Sequence, residues 1–263
     1  MRFPRFVVVA LVVVLSSTFI PLVPQIEAQV TPPEEYFGFK PGADFHLLTY
    51  EQAIGYFDHI AAQTDRMQVL NMGLTSAGRD MKYAVISSPE NLSRLDHYKE
   101  INARLTLARG VEDAQARQLA EEGRTVVWID GGLHGTEVAP AQLLPQLAYD
   151  LVTGTDRQIT AIRDSVIALL VFANPDGMTI VSDWYMGNVG TPYETSSIPW
   201  LYHKYVGHDN NRDSFMANLI ETQNMNIAHS HEWFPEILYN QHQTGPFPAR
   251  IWIPPDAEPT NPN

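Results

Sequence analysis

The sequence predicts an α/β fold: a mixed, largely parallel central sheet with helices on both faces. Two apolar runs carry this expectation. Residues 125–130 and 166–172 are short, rich in β-branched and aromatic side chains, and of strand length. The first stops at Gly131-Gly132, and apolar residues at helical spacing follow it (Ala139, Leu143, Leu144, Leu147, Leu151). Strands that alternate with helices in this way build a sheet covered on both sides.

The remaining elements follow in order. Pro32, Pro33, Pro41 and Gly42 mark an irregular lead-in, and residues 48–64 carry a helical apolar stripe (Tyr50, Ile54, Phe57, Ile60, Ala61). Residues 69–75 and 81–87 read as two strands around the turn Ser76-Ala77-Gly78-Arg79-Asp80. Helices are expected over 90–109, 112–122, 138–152 and 156–164. Residues 178–208 are rich in Gly, Pro, Tyr and Trp without clear period, so this stretch is expected to be a long functional loop walling a cleft. A helix over 214–228 then feeds a strand over 235–241. The Pro-rich end, 254–263, reads as irregular chain.

The chain has 263 residues, 30 acidic against 17 basic groups, and no cysteine. Disulfides, thiolate metal ligands and cysteine-linked lipids are therefore excluded. The acidic balance argues against a nucleic-acid partner. Arg2 and Arg5 precede the apolar run 6–15, and a looser stretch ends at Ala28. This is the layout of a secretory signal over residues 1–28, with an uncleaved anchor as the other reading. The expected organisation is a signal (1–28), a lead-in with its helix (29–68) and a catalytic domain (69–263). The expected location is secreted or periplasmic, with no stable membrane insertion once the signal is removed.

His134 and Glu137 stand at the point where chemistry is expected. His134 follows the end of the first strand and Glu137 falls at the start of the next helix, both facing the crevice where open α/β sheets bind ligands. Imidazole and carboxylate are zinc ligands, and a catalytic zinc site needs three protein ligands with one position open. His242 closes a second strand-like run before Thr244-Gly245-Pro246 and is the best third candidate. His229 and His231, among nine histidines, compete for that role from the end of a helix.

Several ordered segments resemble the zinc carboxypeptidase family, which includes carboxypeptidase A. Gly131-Gly132-Leu133-His134-Gly135-Thr136-Glu137 is similar to its first ligand motif, and Asn174-Pro175-Asp176-Gly177 to its Asn-Pro-Asp-Gly turn. Asp209-Asn210-Asn211-Arg212-Asp213 resembles its Asn-Arg substrate motif, and Tyr239-Asn240-Gln241-His242-Gln243 its third-ligand strand. Gly73-Leu74-Thr75 with Gly78-Arg79 matches an early hairpin. The resemblance spans about residues 69–255. It implies one Zn2+ per chain on His134, Glu137 and His242, a His2Glu set already known from carboxypeptidase A and thermolysin. It implies further that Asn211 and Arg212 receive the terminal carboxylate of a peptide. Asp176 is a candidate acceptor to orient the ligand imidazoles. The family's general-base glutamate is expected downstream of Asn263, because Glu258 lies among Pro254, Pro255 and Pro259, which disfavour a strand. On this reading the chain is the front part of a longer enzyme and has little activity alone.

Two departures from the family pattern bear on specificity. Thr136 stands where the digestive enzymes carry an arginine, and no arginine lies between Arg163 and Arg212 to stabilise an oxyanion. His203 and Lys204 are the candidate replacements. Cell-wall peptides are accordingly as plausible a substrate as ordinary polypeptide ends. Two alternatives stand beside the carboxypeptidase: an N-acyl amino acid deacylase resembling aspartoacylase, and a catalytically silent secreted binding protein.

Overall fold

A computed structural model describes residues 30–243. The signal-like segment 1–28, Thr244-Gly245-Pro246, and the stretch containing Asp256 and Glu258 lie outside the described residues. A short helix, α1 (Pro33–Phe37), occupies the lead-in and precedes α2 (Tyr50–Ala61). The hairpin strands β1 (Met67–Leu74) and β2 (Asp80–Ile86) follow. Next come α3 (Pro89–Leu92), α4 (Leu95–Leu107) and α5 (Asp113–Glu122). The unit β3 (Thr125–Gly131), α6 (Val138–Thr153), α7 (Arg157–Ser165) and β4 (Val166–Phe172) makes the centre. It is followed by α8 (Pro175–Asn188), α9 (Ile220–Ile227) and β5 (Ile237–Gln241).

The sheet is open and mixed, with strand order β1-β2-β4-β3-β5. The hairpin joins β4 antiparallel, whereas β3 runs parallel to both β4 and β5. The unbroken apolar sequence of β4 is explained by two cores. Ala168, Leu170 and Phe172 pack with α2 and α6 through residues such as Phe57, Leu144 and Ala148. Ile167, Leu169 and Val171 face the other way, onto Tyr98, Trp128 and Trp233. A strand buried on both faces has no polar alternation to show.

Two sequence expectations are corrected. Residues 178–208 are not one loop, because α8 occupies residues 175–188 and the irregular part begins only after it. Pro175 sits at the first helical position and the Asn174 side chain caps the Gly177 N–H, while buried Thr179 and Ser182 mask the apolar period. Thr179 donates to Glu51 and Ser182 to the Leu48 carbonyl, which is how these polar groups are buried satisfied. The helix expected over 214–228 is shorter, with α9 starting at Ile220 and passing into a π-helical turn, Ala228–Trp233. That turn buries Trp233, whose Nε1 donates to the Tyr83 hydroxyl at 2.9 Å.

Asp176, in the first turn of α8, ties the hairpin turn to the centre of the molecule. Its Oδ1 accepts from the Thr75 hydroxyl and the Arg79 guanidinium, each at 2.8 Å, and its Oδ2 from the Ala77 N–H at 2.8 Å. Arg79 also reaches Glu51 on α2. The carboxylate is almost fully buried, so its removal would strand donors away from water. Asp176→Ala is expected to cost about 2–3 kcal/mol in urea unfolding. A loss inside the ~0.5 kcal/mol range of ordinary surface changes would show that the network is not a structural tie.

Candidate metal centre

The centre begins with the turn out of β3. Gly132 has a φ of 78°, in the left-handed region that a side chain disfavours, and it redirects the chain between Gly131 and His134. Gly135 is needed for space: a Cβ there would lie 2.9 Å from the backbone of Gly177. Glu137 is the N-cap residue of α6, with its N–H bonded to the His134 carbonyl at 2.9 Å. His242 directly follows β5, whose Gln241 is in register with Gly131 of β3. Parallel pairing therefore delivers His242 to the same end of the sheet as His134 and Glu137.

Ligating atoms of His134, Glu137 and His242 all lie within 4.8 Å of one another. Nδ1 of His134 is 2.9 Å from Glu137 Oε1, and Nδ1 of His242 is 2.9 Å from Glu137 Oε2. Gln243 adds its N–H to Oε2 at 3.0 Å. Burial pushes the Glu137 carboxyl up, but the Gln243 N–H and the two imidazoles outweigh it and hold it below the usual range. His229 and His231 lie outside this cluster. His229 packs its ring edge-on against Trp128 and bonds Ser230 through Nδ1.

The partner that orients His134 is Asp209, not Asp176. Asp209 Oδ1 lies 3.0 Å from His134 Nε2 and also accepts the Asn211 N–H at 2.7 Å. Asp176 faces the hairpin turn and is fully engaged there, which removes it from the expected role. With Nε2 donating to Asp209, the Nδ1 lone pair of His134 is left facing Glu137. Asn174 and Asn210 both donate to the Leu133 carbonyl, at 3.1 and 2.5 Å, and hold the backbone immediately before His134. Asp209 opens the Asp209–Asp213 segment, and only the fold brings its carboxylate to His134.

Beneath the centre, Asp130 accepts from Trp128 Nε1 at 2.8 Å and from the Asn240 amide. Burial pushes its carboxyl up to about 6, against the pull of these donors and of His242. Asn211 and Arg212 lie in a 3-10 turn, Asn210–Arg212. Arg212 is exposed and has no ion pair among the described residues, while Asp213 is taken by His208 at 2.7 Å. Asn211 lines a cavity of about 200 Å³ that also involves Leu133, Asn240 and His229. His203 and Lys204 line a small cavity of about 20 Å³ with Asn174, Asn210 and Glu221. Tyr202, missed in the sequence, brings its ring to 6.1 Å from that of His134. Burial raises the phenol, with Asp209 and Glu137 adding to the effect.

The donor set suits zinc. Two neutral imidazole nitrogens and one carboxylate make three ligands of borderline softness, whereas calcium and magnesium favour all-oxygen sites. A model of the zinc carboxypeptidase family matches residues 54–248. The chain belongs to that family. No curated protein matches it. Among solved structures, carboxypeptidase A from Helicoverpa armigera is 17% identical, covering 77% of this chain and 47% of its own, with a TM-score of 0.48. A metallo-carboxypeptidase from Burkholderia cenocepacia is 16% identical, with 74% and 40% covered and a TM-score of 0.45. Thrombin activatable fibrinolysis inhibitor is 9% identical, with 83% and 51% covered and a TM-score of 0.50. The chain spans about half the length of the first and third of these structures, and less of the second.

The packing of Gly135 gives a test of the corner in this family member. Gly135→Ala must push His134 and Glu137 away from Gly177, so binding of a divalent metal, read by competition with a chromophoric chelator, is expected to weaken at least ~10-fold. Gly187→Ala, where the added Cβ meets nothing within 4 Å, is the control and should leave affinity unchanged. Equal affinities in both variants would show that the corner does not depend on this contact.

Proposed function

We propose that the chain carries the metal and substrate-carboxylate sites of a zinc metallocarboxypeptidase that removes C-terminal residues from peptides. The convergence of His134, Glu137 and His242, with Asp209 behind His134, is the observation that carries this reading. Asp209 fixes His134 and the Gln243 N–H fixes Glu137, so two of the three ligands are oriented before anything binds. Bound there, zinc supplies Lewis acidity toward a carbonyl oxygen and toward water.

The chain's own residues supply orientation. Arg212 and Asn211 bind the terminal carboxylate, with the guanidinium as a planar two-donor fork that lysine cannot imitate. The exposure of Arg212 supports this role. The adjoining cavity of about 200 Å³ takes the terminal side chain. Tyr202 is the phenol nearest to replacing the absent arginine as a donor to developing oxyanion charge, supported by its packing on His134. The other carboxylates described around the cluster are committed, Asp209 to His134 and Asn211, and Asp130 to Trp128 and Asn240. The general base is therefore assigned to none of them. Work outside the cytoplasm, with cell-wall peptides among the substrates, is part of the same proposal. It is supported by the signal-like composition of residues 1–28. No helix among the described residues is long and apolar enough to cross a membrane.

Metal analysis tests the first half of the proposal. The wild-type chain should hold one equivalent of zinc, and His134→Ala and His242→Ala should each lose it at micromolar metal. Retention of zinc by His242→Ala would remove that residue from the ligand set. Substrate recognition is tested separately by Arg212→Ala. Loss of one charge-assisted bidentate contact should weaken free-acid peptides by about 10- to 100-fold and leave C-terminal amides nearly unchanged. Equal weakening of acids and amides would make Arg212 structural.

A further inference from the structure

The largest cavity described at the metal corner is not the one beside Asn211. It measures about 540 Å³ and is built from three separated pieces of chain. The lead-in contributes Asp44 and Phe45, α8 contributes Trp184 and Tyr185, and the following irregular segment contributes Glu194 and Ile198. Thr136, Val138 and Gln243 form its border with the metal corner, and Gln243 is itself bonded to Glu137. The cavity beside Asn211 borders the corner through Leu133 and Asn240 instead, and the two cavities share no lining residue.

The larger cavity has a distinct chemistry. It is lined by two carboxylates, the imidazole of His46 and an aromatic wall, with no lysine or arginine among its lining residues. The Asp44 carboxylate has no hydrogen bond or ion pair among the described residues. Glu194 is held in place by the Gly190 N–H on Oε2 at 2.8 Å, which leaves Oε1 available. Both carboxylates act electrostatically on the Tyr185 phenol, which burial and then these two charges push up. Asp44 and Glu194 both line this one cavity. Phe45 stands at the rim with a φ of 63° and more than half of its surface exposed. A non-glycine residue held in the left-handed region is uncommon.

We propose that this cavity is the subsite for the residue upstream of the scissile bond, and that it selects a cationic side chain. The direction of the peptide rests on the carboxypeptidase reading above. With the terminal carboxylate on Arg212 and the terminal side chain beside Asn211, the chain upstream must cross Glu137 and leave on the Thr136–Gln243 side. A lysine-like residue there lays its methylenes on Trp184 and Phe45 and its ammonium between Asp44 and Glu194. Thr136 completes the argument. An arginine in its place would bring a positive charge to the border of this cavity, and threonine brings none.

The test uses four peptides with lysine or norleucine as the penultimate residue, each as free acid and as C-terminal amide. The scissile amide is replaced by a ketomethylene so that binding is read without turnover. Calorimetric titration of the zinc-loaded full chain at low salt should show lysine preferred over norleucine by about five- to tenfold, with the preference shrinking as salt is added. The double variant Asp44→Asn/Glu194→Gln should lose the preference while keeping its affinity for the norleucine peptides. Equal binding of lysine and norleucine by wild type, or a preference that survives in the double variant, would overturn the subsite. The acid–amide contrast reports separately on Arg212. If it vanishes while the lysine preference stands, the carboxypeptidase reading falls and the cation subsite remains.

Discussion

The parallel pairing of β3 with β5 is the constraint on which the centre depends. His134 and His242 are 108 positions apart in sequence, yet the register Gly131↔Gln241 sets their strand ends side by side. A slip of one residue would turn every β5 side chain to the opposite face and displace the third member of the cluster. Glu137 then bridges the two imidazoles from the N-terminus of α6, one oxygen toward each ring. Everything else around the site either fixes this arrangement or borders it.

Fixing it requires a small-residue turn and a ring of amides. Gly132 and Gly135 let the β3–α6 turn reverse and lie against α8, and the carbonyl of Leu133 is held by Asn174 and Asn210 from two different segments. Asp209 then sets the ring of His134. Asp176 and Asp130 are both buried and do different work. Asp176 has three donors and locks the hairpin turn to α8, whereas Asp130 has two and sits deeper under β5. Burial dominates at Asp130, so its carboxyl is pushed up to about 6.

The zinc carboxypeptidase fold also explains why the surroundings of the centre divide into two regions of different character. One side is lined by β-strand ends, the Asn210–Arg212 turn and α9, and it carries the exposed Arg212. The other is assembled from the lead-in, α8 and the segment after it, and it is acidic and aromatic. The first combines strand ends with the turn and helix that precede β5. The second is made of connecting segments, where a fold can vary its surface without disturbing the core.

The sequence by itself pointed to the fold class, to the strands that flank the centre and, through the family resemblance, to His134, Glu137 and His242 as a candidate cluster. Those signals are local: apolar runs ending in glycine, and ligand-type side chains at strand ends. It also carried Asn211 and Arg212 as a motif, though nothing in the sequence showed that Arg212 is without an ion pair among the described residues while Asp213 engages His208. Tertiary structure decided the rest. Residues 175–188 form a helix because Asn174 caps it and because Thr179 and Ser182 find buried partners on α2 and the lead-in, contacts no periodicity can announce. The exchange of Asp176 for Asp209 behind His134 has the same origin. Either carboxylate could serve by chemistry, and only the packing of the hairpin turn onto α8 consumes one and leaves the other facing the ring. Local pattern specifies which groups are capable of a role; the register and packing of distant segments select which of them is near enough to perform it.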